Sequence, residues 1–101
     1  MTWHPIAKTD EVDAGESLQV KVGDDPIAIY NLDGTFYATH DICTHAHAHL
    51  SDGYIDGDCI ECPLHAGVFH IPTGKAMSGP VQRSIRIYPC RVEGETVLVE
   101  T

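Results

Sequence analysis

Apolar and polar residues alternate over Ser17-Leu-Gln-Val-Lys-Val22 and again over Ser84-Ile-Arg-Ile-Tyr88. Successive side chains of an extended chain point to opposite faces, so this period of two predicts half-buried β-strands. Pro26-Ile-Ala-Ile-Tyr-Asn31 and Thr35-Phe-Tyr-Ala-Thr39 flank Asp33-Gly34. An Asp-Gly pair between two such runs predicts a tight hairpin, because the favoured two-residue turns need positive φ. Thr96-Val-Leu-Val-Glu100 follows a second turn at Glu93-Gly-Glu95 and predicts a further strand. Shorter strands are predicted around Cys59-Ile-Glu-Cys62 and Val68-Phe-His70. Gly and Pro recur too closely for any helix of three turns. The expected class is all-β, an antiparallel β-sandwich or barrel-like frame.

Length and composition narrow this picture. The 101 residues predict one domain spanning 1–101, and a share of 43% hydrophobic with 21% charged residues argues against intrinsic disorder. From Asp41 to Pro80 the chain carries three of its four Cys and five of its seven His, with several Asp-Gly or Gly-Asp turns. The expected organisation is therefore a frame from about 1–40 and 81–101, with a loop-rich insertion over about 41–80 that carries the chemistry. Six Lys and Arg against 15 Asp and Glu leave a net charge of −9. That balance disfavours nucleic acid and anionic membranes as partners and favours a cationic patch on another protein. Apolar runs stay far below the roughly 18 residues of a membrane span. The N-terminal Met1-Thr-Trp-His-Pro5 has no basic or apolar leader pattern, so the expected address is the cytoplasm. Thiols stay reduced there, and four cysteines then point to metal or redox chemistry before a disulfide frame.

Two ligand pairs stand out, Cys43-Thr-His45 and Cys62-Pro-Leu-His65, separated by 16 residues. Each joins a sulfur to an imidazole at short range, so two loop tips can offer four ligands to a shared centre. By residue type the set suits zinc as well as iron–sulfur.

The surroundings extend the pattern, while zinc remains open for the four ligands until colour and iron content decide. The stretch reads C-T-H-x16-C-P-L-H-x-G-x-F, followed by Thr73-Gly74 and Gly79-Pro80. It resembles the Rieske family of [2Fe–2S] proteins, and within it the small ferredoxins of bacterial aromatic ring-hydroxylating dioxygenase systems. The resemblance covers nearly the whole chain. It implies a Rieske fold with a cluster-binding subdomain and one [2Fe–2S] cluster held by two Cys and two His. Carried over, Cys43 and Cys62 bind the inner iron, and His45 and His65 the outer, more exposed one. Pro80 matches the proline of a third loop that covers the cluster in the family.

The resemblance also implies a role. It points to a soluble one-electron carrier, not an enzyme, that takes electrons from a flavin-dependent ferredoxin reductase and passes them to a terminal oxygenase. A Rieske-type small subunit of a nitrite reductase shares the domain plan, and a zinc-stabilised interaction module shares the ligand types. A catalytic oxygenase subunit would need a further two-His, one-carboxylate iron site, and no histidine follows His70. Respiratory-chain Rieske proteins carry an extra cysteine in each ligand loop, where this chain has Ala48 and Leu64. They also place hydroxyls two and four residues after the second His, where this chain has Gly67 and Phe69. Hydrogen bonds to the sulfurs raise the potential, so the expectation is a low-potential centre, near roughly −150 mV. The potential is further expected to fall with rising pH in the alkaline range, as reduction raises the proton affinity of the His ligands. A redox titration up to about pH 10 checks this.

The remaining candidates have plainer readings. His47 and His49 are expected as exposed loop residues near the cluster, and His4 and His40 as surface or turn residues. His70 stands where relatives often carry Asp, which puts the hydrogen bonding of its turn in question. Cys59 is expected as a buried free thiol, and Cys90 near the C-terminal strands; the sequence allows the two to pair, and a reducing compartment argues against it. Trp3, Phe36, Tyr37 and Tyr88 read as core or frame residues, and Tyr54 as a neighbour of the cluster loops. Asp52, Asp56, Asp58 and Glu61, between the ligand pairs, form the candidate docking group for a cationic partner.

Overall fold

The computed structural model describes residues 2–44, 47–64, 67–78 and 83–101. They form three antiparallel sheets and only two single-turn 3-10 segments, Thr9–Glu11 and Leu50–Asp52. The first sheet, in the order β1-β11-β10, comprises β1 (Trp3–Lys8), β10 (Cys90–Glu93) and β11 (Thr96–Glu100). The second joins β2 (Ser17–Val22), β3 (Asp25–Leu32), β4 (Thr35–His40) and β9 (Ile87–Tyr88) in the order β2-β3-β4-β9. The third runs β5 (Tyr54–Asp56), β6 (Cys59–Glu61), β7 (Val68–His70) and β8 (Ala76–Ser78) in chain order.

The second sheet is the middle layer. Ile27, Ala38 and Tyr88 pack with Val99 of the first sheet in one core. Ala28 and Tyr30 pack with Ile60 and Phe69 of the third sheet in another. Residues of β3 thus serve both cores, which explains why its apolar run does not alternate. Ile27 through Asn31 are all buried, as expected of a strand covered on both faces. The buried polar groups along it are satisfied. Asn31 Nδ2 donates to Val12 O at 2.8 Å, and its Oδ1 accepts from Gly34 N at 2.7 Å. Tyr30 O–H donates to Thr39 Oγ1 at 2.9 Å, whose own proton goes to His40 O at 3.0 Å. Asp33 and Gly34 both adopt positive φ, 55° and 95°, as the two-residue hairpin demands.

The alternation over 84–88 overstates its strand. Only Ile87 and Tyr88 join the sheet, opposite Thr39 and Ala38. Ile85 N bonds instead to Gly74 O at 2.8 Å, and Ile85 is buried in the core shared with the third sheet. A period of two reports which side chains are inside, and an irregular segment can satisfy it equally well. The N-terminal strand β1 had no alternation to announce it. It exists because β11 pairs with it from Trp3–Glu100 to Lys8–Thr96, and Arg91 of β10 stacks 4.1 Å over the Trp3 ring.

His4 and His40 lie in strands, not turns, and both are half-buried; His4 Nε2 lies 3.2 Å from Thr101 Oγ1. Cys59 and Cys90 are free thiols, each half-buried where full burial of Cys59 was expected. Burial pushes the Cys90 thiol up to about 11. No helix among the described residues is long and apolar enough to cross a membrane.

Candidate metal centre

Two loops carry the cysteines of the ligand pairs: the first links β4 of the second sheet to the third sheet, and the second joins β6 to β7 within the third. They close in the same way. Cys43 N donates to Ala48 O at 2.9 Å, and Cys62 N donates to Gly67 O at 2.7 Å. Each loop therefore begins with its cysteine and returns five residues later, and both cysteines join one core. Cys43 is 4% and Cys62 1% exposed, and both sit in the core with Tyr30, Leu50, Ile60 and Phe69. The sulfurs are within hydrogen-bonding reach of each other. Burial first, and then the Cys43 sulfur, push the Cys62 thiol up to about 11, against a hydrogen bond from the Leu64 backbone.

The arrangement places two sulfur donors side by side in the core. Two sulfurs forced together in a low-dielectric core resist joint ionisation unless a metal supplies positive charge. His45, His65, Gly79 and Pro80 lie outside the described residues. Arg83, a described residue, is tied to the first loop. Thr44 Oγ1 donates to Arg83 O at 3.0 Å.

The comparisons with known proteins place this geometry. The model of the Rieske [2Fe–2S] domain matches residues 2–89. The chain belongs to the Rieske family. The biphenyl dioxygenase ferredoxin subunit of Pseudomonas sp. strain KKS102 is 48% identical over 101 residues, 99% of this Rieske chain and 93% of the relative. The Sphingomonas yanoikuyae B1 ferredoxin superposes with a TM-score of 0.93 at 38% identity, covering 99% of each chain. A chain from a complex of reduced oxygenase and oxidised ferredoxin in carbazole 1,9a-dioxygenase superposes with a TM-score of 0.90 at 38% identity, covering 96% and 91%. The relatives are named ferredoxins, electron carriers and not catalysts. The all-β expectation and the recognition of a Rieske-type ferredoxin both stand. The cofactor of the family is a [2Fe–2S] cluster, and the paired, buried, disulfide-free sulfurs of Cys43 and Cys62 fit it. Among the cysteines only these two are fully buried.

Two features of the Rieske chain near the sulfurs bear on its potential. Phe69 is fully buried in β7, and Gly67 offers the second loop only its backbone carbonyl. Neither position brings a hydroxyl.

The His49 side chain is 44% exposed but engaged. His49 is not a free loop residue: Nδ1–H donates at 2.8 Å to Asp41 Oδ2. Asp41 itself is fully buried, and its sequence neighbourhood carried no signal for this. His47 is exposed, as expected. His70 answers the question posed by its position. Nε2–H donates to Asp58 Oδ2 at 2.9 Å, while Nδ1 accepts from Thr73 Oγ1 at 2.8 Å. Asp58, in the turn between β5 and β6, is thus the carboxylate partner of His70.

This pair has a pH consequence. The hydrogen bond from His70 holds the exposed Asp58 carboxyl below its ordinary value. A depressed carboxyl contributes stability above its unfolded pKa and loses it as pH falls through the folded value. His70→Phe should return the Asp58 titration, followed by carboxyl NMR, toward the ordinary aspartate value. An unshifted midpoint would show that the pair does not form in solution.

The candidate docking group divides in two. Tyr54 pairs with Glu61 and Asp56 with Cys59, so β6 runs from the turn toward Cys62. Glu61 is therefore beside the ligand loop. Asp56 and Asp58 flank the turn at the opposite end of that hairpin, and Asp58 is engaged by His70. Asp52 immediately precedes Gly53, whose Cα abuts the Glu61 carbonyl. Tyr54 is 64% exposed on the edge strand next to Glu61, and Leu64 is exposed within the second loop. An open groove of about 540 Å³ along β4 and β9 is lined by Phe36, Tyr37, Ile71, Pro72 and Tyr88 among others, with no residue from either ligand loop.

Proposed function

We propose that this protein is a one-electron carrier of an aromatic ring-hydroxylating dioxygenase system, cytoplasmic and built as a single Rieske domain over 1–101. It accepts electrons singly from a flavin-dependent ferredoxin reductase and delivers them to the Rieske centre of a terminal oxygenase. The observation that carries this reading is the pair of buried sulfurs at the bases of two matching loops, in a chain similar along its whole length to dioxygenase ferredoxins. Cys43 and Cys62 would hold one iron of a [2Fe–2S] cluster, and His45 and His65 the other. The cluster, when bound, supplies one-electron redox chemistry at a low potential.

The chain's own residues provide the rest. The core around Leu50, Ile60 and Phe69 keeps water from the sulfurs on the inner side. Gly67 and Phe69 offer no hydroxyl that would stabilise an added electron, which supports a midpoint near roughly −150 mV. Asp52 and Glu61 provide negative charge beside the ligand loops for steering toward a cationic partner, in a contact that must be transient to turn over.

Reconstitution tests the proposal. The iron–sulfide protein, added to a flavin reductase and a ring-hydroxylating oxygenase, should make hydroxylation depend on it, with a midpoint below zero. Hydroxylation that is unaffected, or a midpoint above zero, contradicts it. Reconstitution with a nitrite reductase catalytic subunit separates the neighbouring role.

The charges are tested separately. Glu61→Lys should slow electron transfer by roughly tenfold at low ionic strength and flatten its salt dependence. Asp58→Lys, at the far turn, should leave both nearly unchanged. Equal effects from the two would remove the assignment of the docking edge.

A further inference from the structure

Asp41 is the only ionisable side chain among the fully buried described residues that bears a carboxylate. Such a group is costly to bury unless its oxygens are saturated with donors. Among the described residues no Lys or Arg lies within ion-pair distance of it. Three N–H donors satisfy it instead. Ser51 N donates to Oδ1 at 2.8 Å, while Gln19 Nε2 and His49 Nδ1 donate to Oδ2 at 2.7 and 2.8 Å. The two Oδ2 donors stand 2.9 Å apart, flanking one oxygen.

The backbone of Asp41 is equally committed. Its N–H donates to Pro26 O at 3.0 Å, and its carbonyl accepts from Leu50 N at 2.6 Å. Ile42 and His49 form the adjoining bridge, and Cys43 N–Ala48 O closes the loop above it. Strand β2 grips the returning segment a second time, through Ser17 Oγ donating to Ser51 O at 2.8 Å. One side chain thereby ties three things together: the departing end of the first ligand loop, its returning end, and the frame.

We propose that Asp41 is a positioning residue for the cluster: its carboxylate sets the spacing of the two ends of the 43–48 loop and so the approach of that loop's ligands. This rests on the carrier reading above. It adds that the geometry of the first loop is imposed from below, by a buried anion, and not by the ligands alone. The second loop has no such device among the described residues. Its base is held by the β6–β7 ladder directly, since β6 and β7 pair from Cys59–His70 to Glu61–Val68. The first loop springs from β4 and returns to a 3-10 turn, with only one bridge between its ends, so it needs a side-chain clamp.

Two substitutions separate shape from charge. In Asp41→Asn, Oδ1 still accepts from Ser51 N, and the new amide finds an acceptor if Gln19 turns its own amide over and His49 changes tautomer. In Asp41→Ala the clamp is gone and three donors are left unpaired. In the cluster-loaded protein, Asp41→Ala should release iron at least tenfold faster than wild type and shift its EPR spectrum. Asp41→Asn should release iron within about threefold of wild type and keep the EPR line shape, its midpoint rising because a negative charge is lost. Gln19→Ala, an exposed substitution that leaves folding intact, should speed iron release at least threefold, and it decides the matter if Asp41→Ala does not fold.

A lowered melting temperature with unchanged EPR and iron release in Asp41→Ala would make Asp41 merely structural and overturn the inference. If Asp41→Ala does not fold, unchanged release in Gln19→Ala overturns it. A wild-type protein without [2Fe–2S] absorption would overturn the carrier reading and this inference together, whereas a loaded wild type with indifferent variants overturns this inference alone.

Discussion

Cys62→Ser should yield a chain that keeps its β-structure and holds no iron. The substitution is nearly isosteric, and the backbone bond that closes the second loop, Cys62 N to Gly67 O, does not involve the side chain. The surrounding core of Ile60, Phe69 and Ile71 remains packed. What is lost is the sulfur. A thiol buried to this degree loses its proton in exchange for a metal ion, and a buried serine hydroxyl has far too little acidity to do the same. Iron and acid-labile sulfide should fall to background while the far-ultraviolet circular dichroism stays that of a β protein. The melting temperature should also fall, because a ligand bound only by the folded state stabilises it by about 4 kcal/mol at a thousandfold excess over its dissociation constant. For a domain of this size that is on the order of 15–30 °C. Cys59→Ser and Cys90→Ser should keep their iron, since Cys59 lies at the far end of β6 and Cys90 lines the groove along β4. Full iron content in Cys62→Ser would dismiss it as a ligand.

Gly74→Ala should be among the most damaging changes outside the ligand set. Gly74 has φ +75°, and an added Cβ would overlap the Ile85 carbonyl oxygen and press on Ile87 Cγ2. The left-handed conformation alone costs an alanine about 1–2 kcal/mol. The overlap with backbone cannot be relieved by a rotamer, so the 83–87 segment must move away. That movement breaks the Ile85 N–Gly74 O bond and withdraws Ile85 from the core. It also pulls on Arg83, whose carbonyl is tied to Thr44 in the first ligand loop. A total of about 3–4 kcal/mol, among the larger single-site effects, corresponds to a fall in melting temperature of roughly 12–30 °C. Iron release should accelerate along with it. Gly57→Ala is the control: φ is +61°, but nothing lies within 4 Å of the added carbon, so only the conformational cost applies. Equal melting temperatures for the two variants would show that the close approach to Ile85 does not exist in solution.

Much of the site was readable from residue types. Cys43 and Cys62 were marked by their His-bearing spacings, and the structure brings their sulfurs together in the core. The hairpin at Asp33-Gly34 was marked by a residue pair that favours the positive φ its turn needs. The acidic group between the ligand pairs divides in two in the fold, because closeness in sequence is not closeness in space. A hairpin sends its turn away from its ends, so Asp56 and Asp58 depart from the loops that Asp52 and Glu61 adjoin. His70 was marked as a departure, and its partner Asp58 became visible only when β6 and β7 were laid side by side.

The sequence by itself determined the local and chemical facts: the class of the strands, the turn residues, the sulfurs and imidazoles, and the excess of negative charge. These follow from side-chain type and short-range spacing, which do not depend on the path of the chain. The tertiary structure alone decided that β3 is buried on both faces, that Ile85 leaves the strand its alternation suggested, and that Asp41 is a buried anion. Each of these depends on a partner distant in the chain: the first and third sheets for β3, Gly74 for Ile85, and Gln19 for Asp41. An aspartate two residues before a cysteine looks the same in water as in a core. Only the donors that the fold brings to it make its burial affordable.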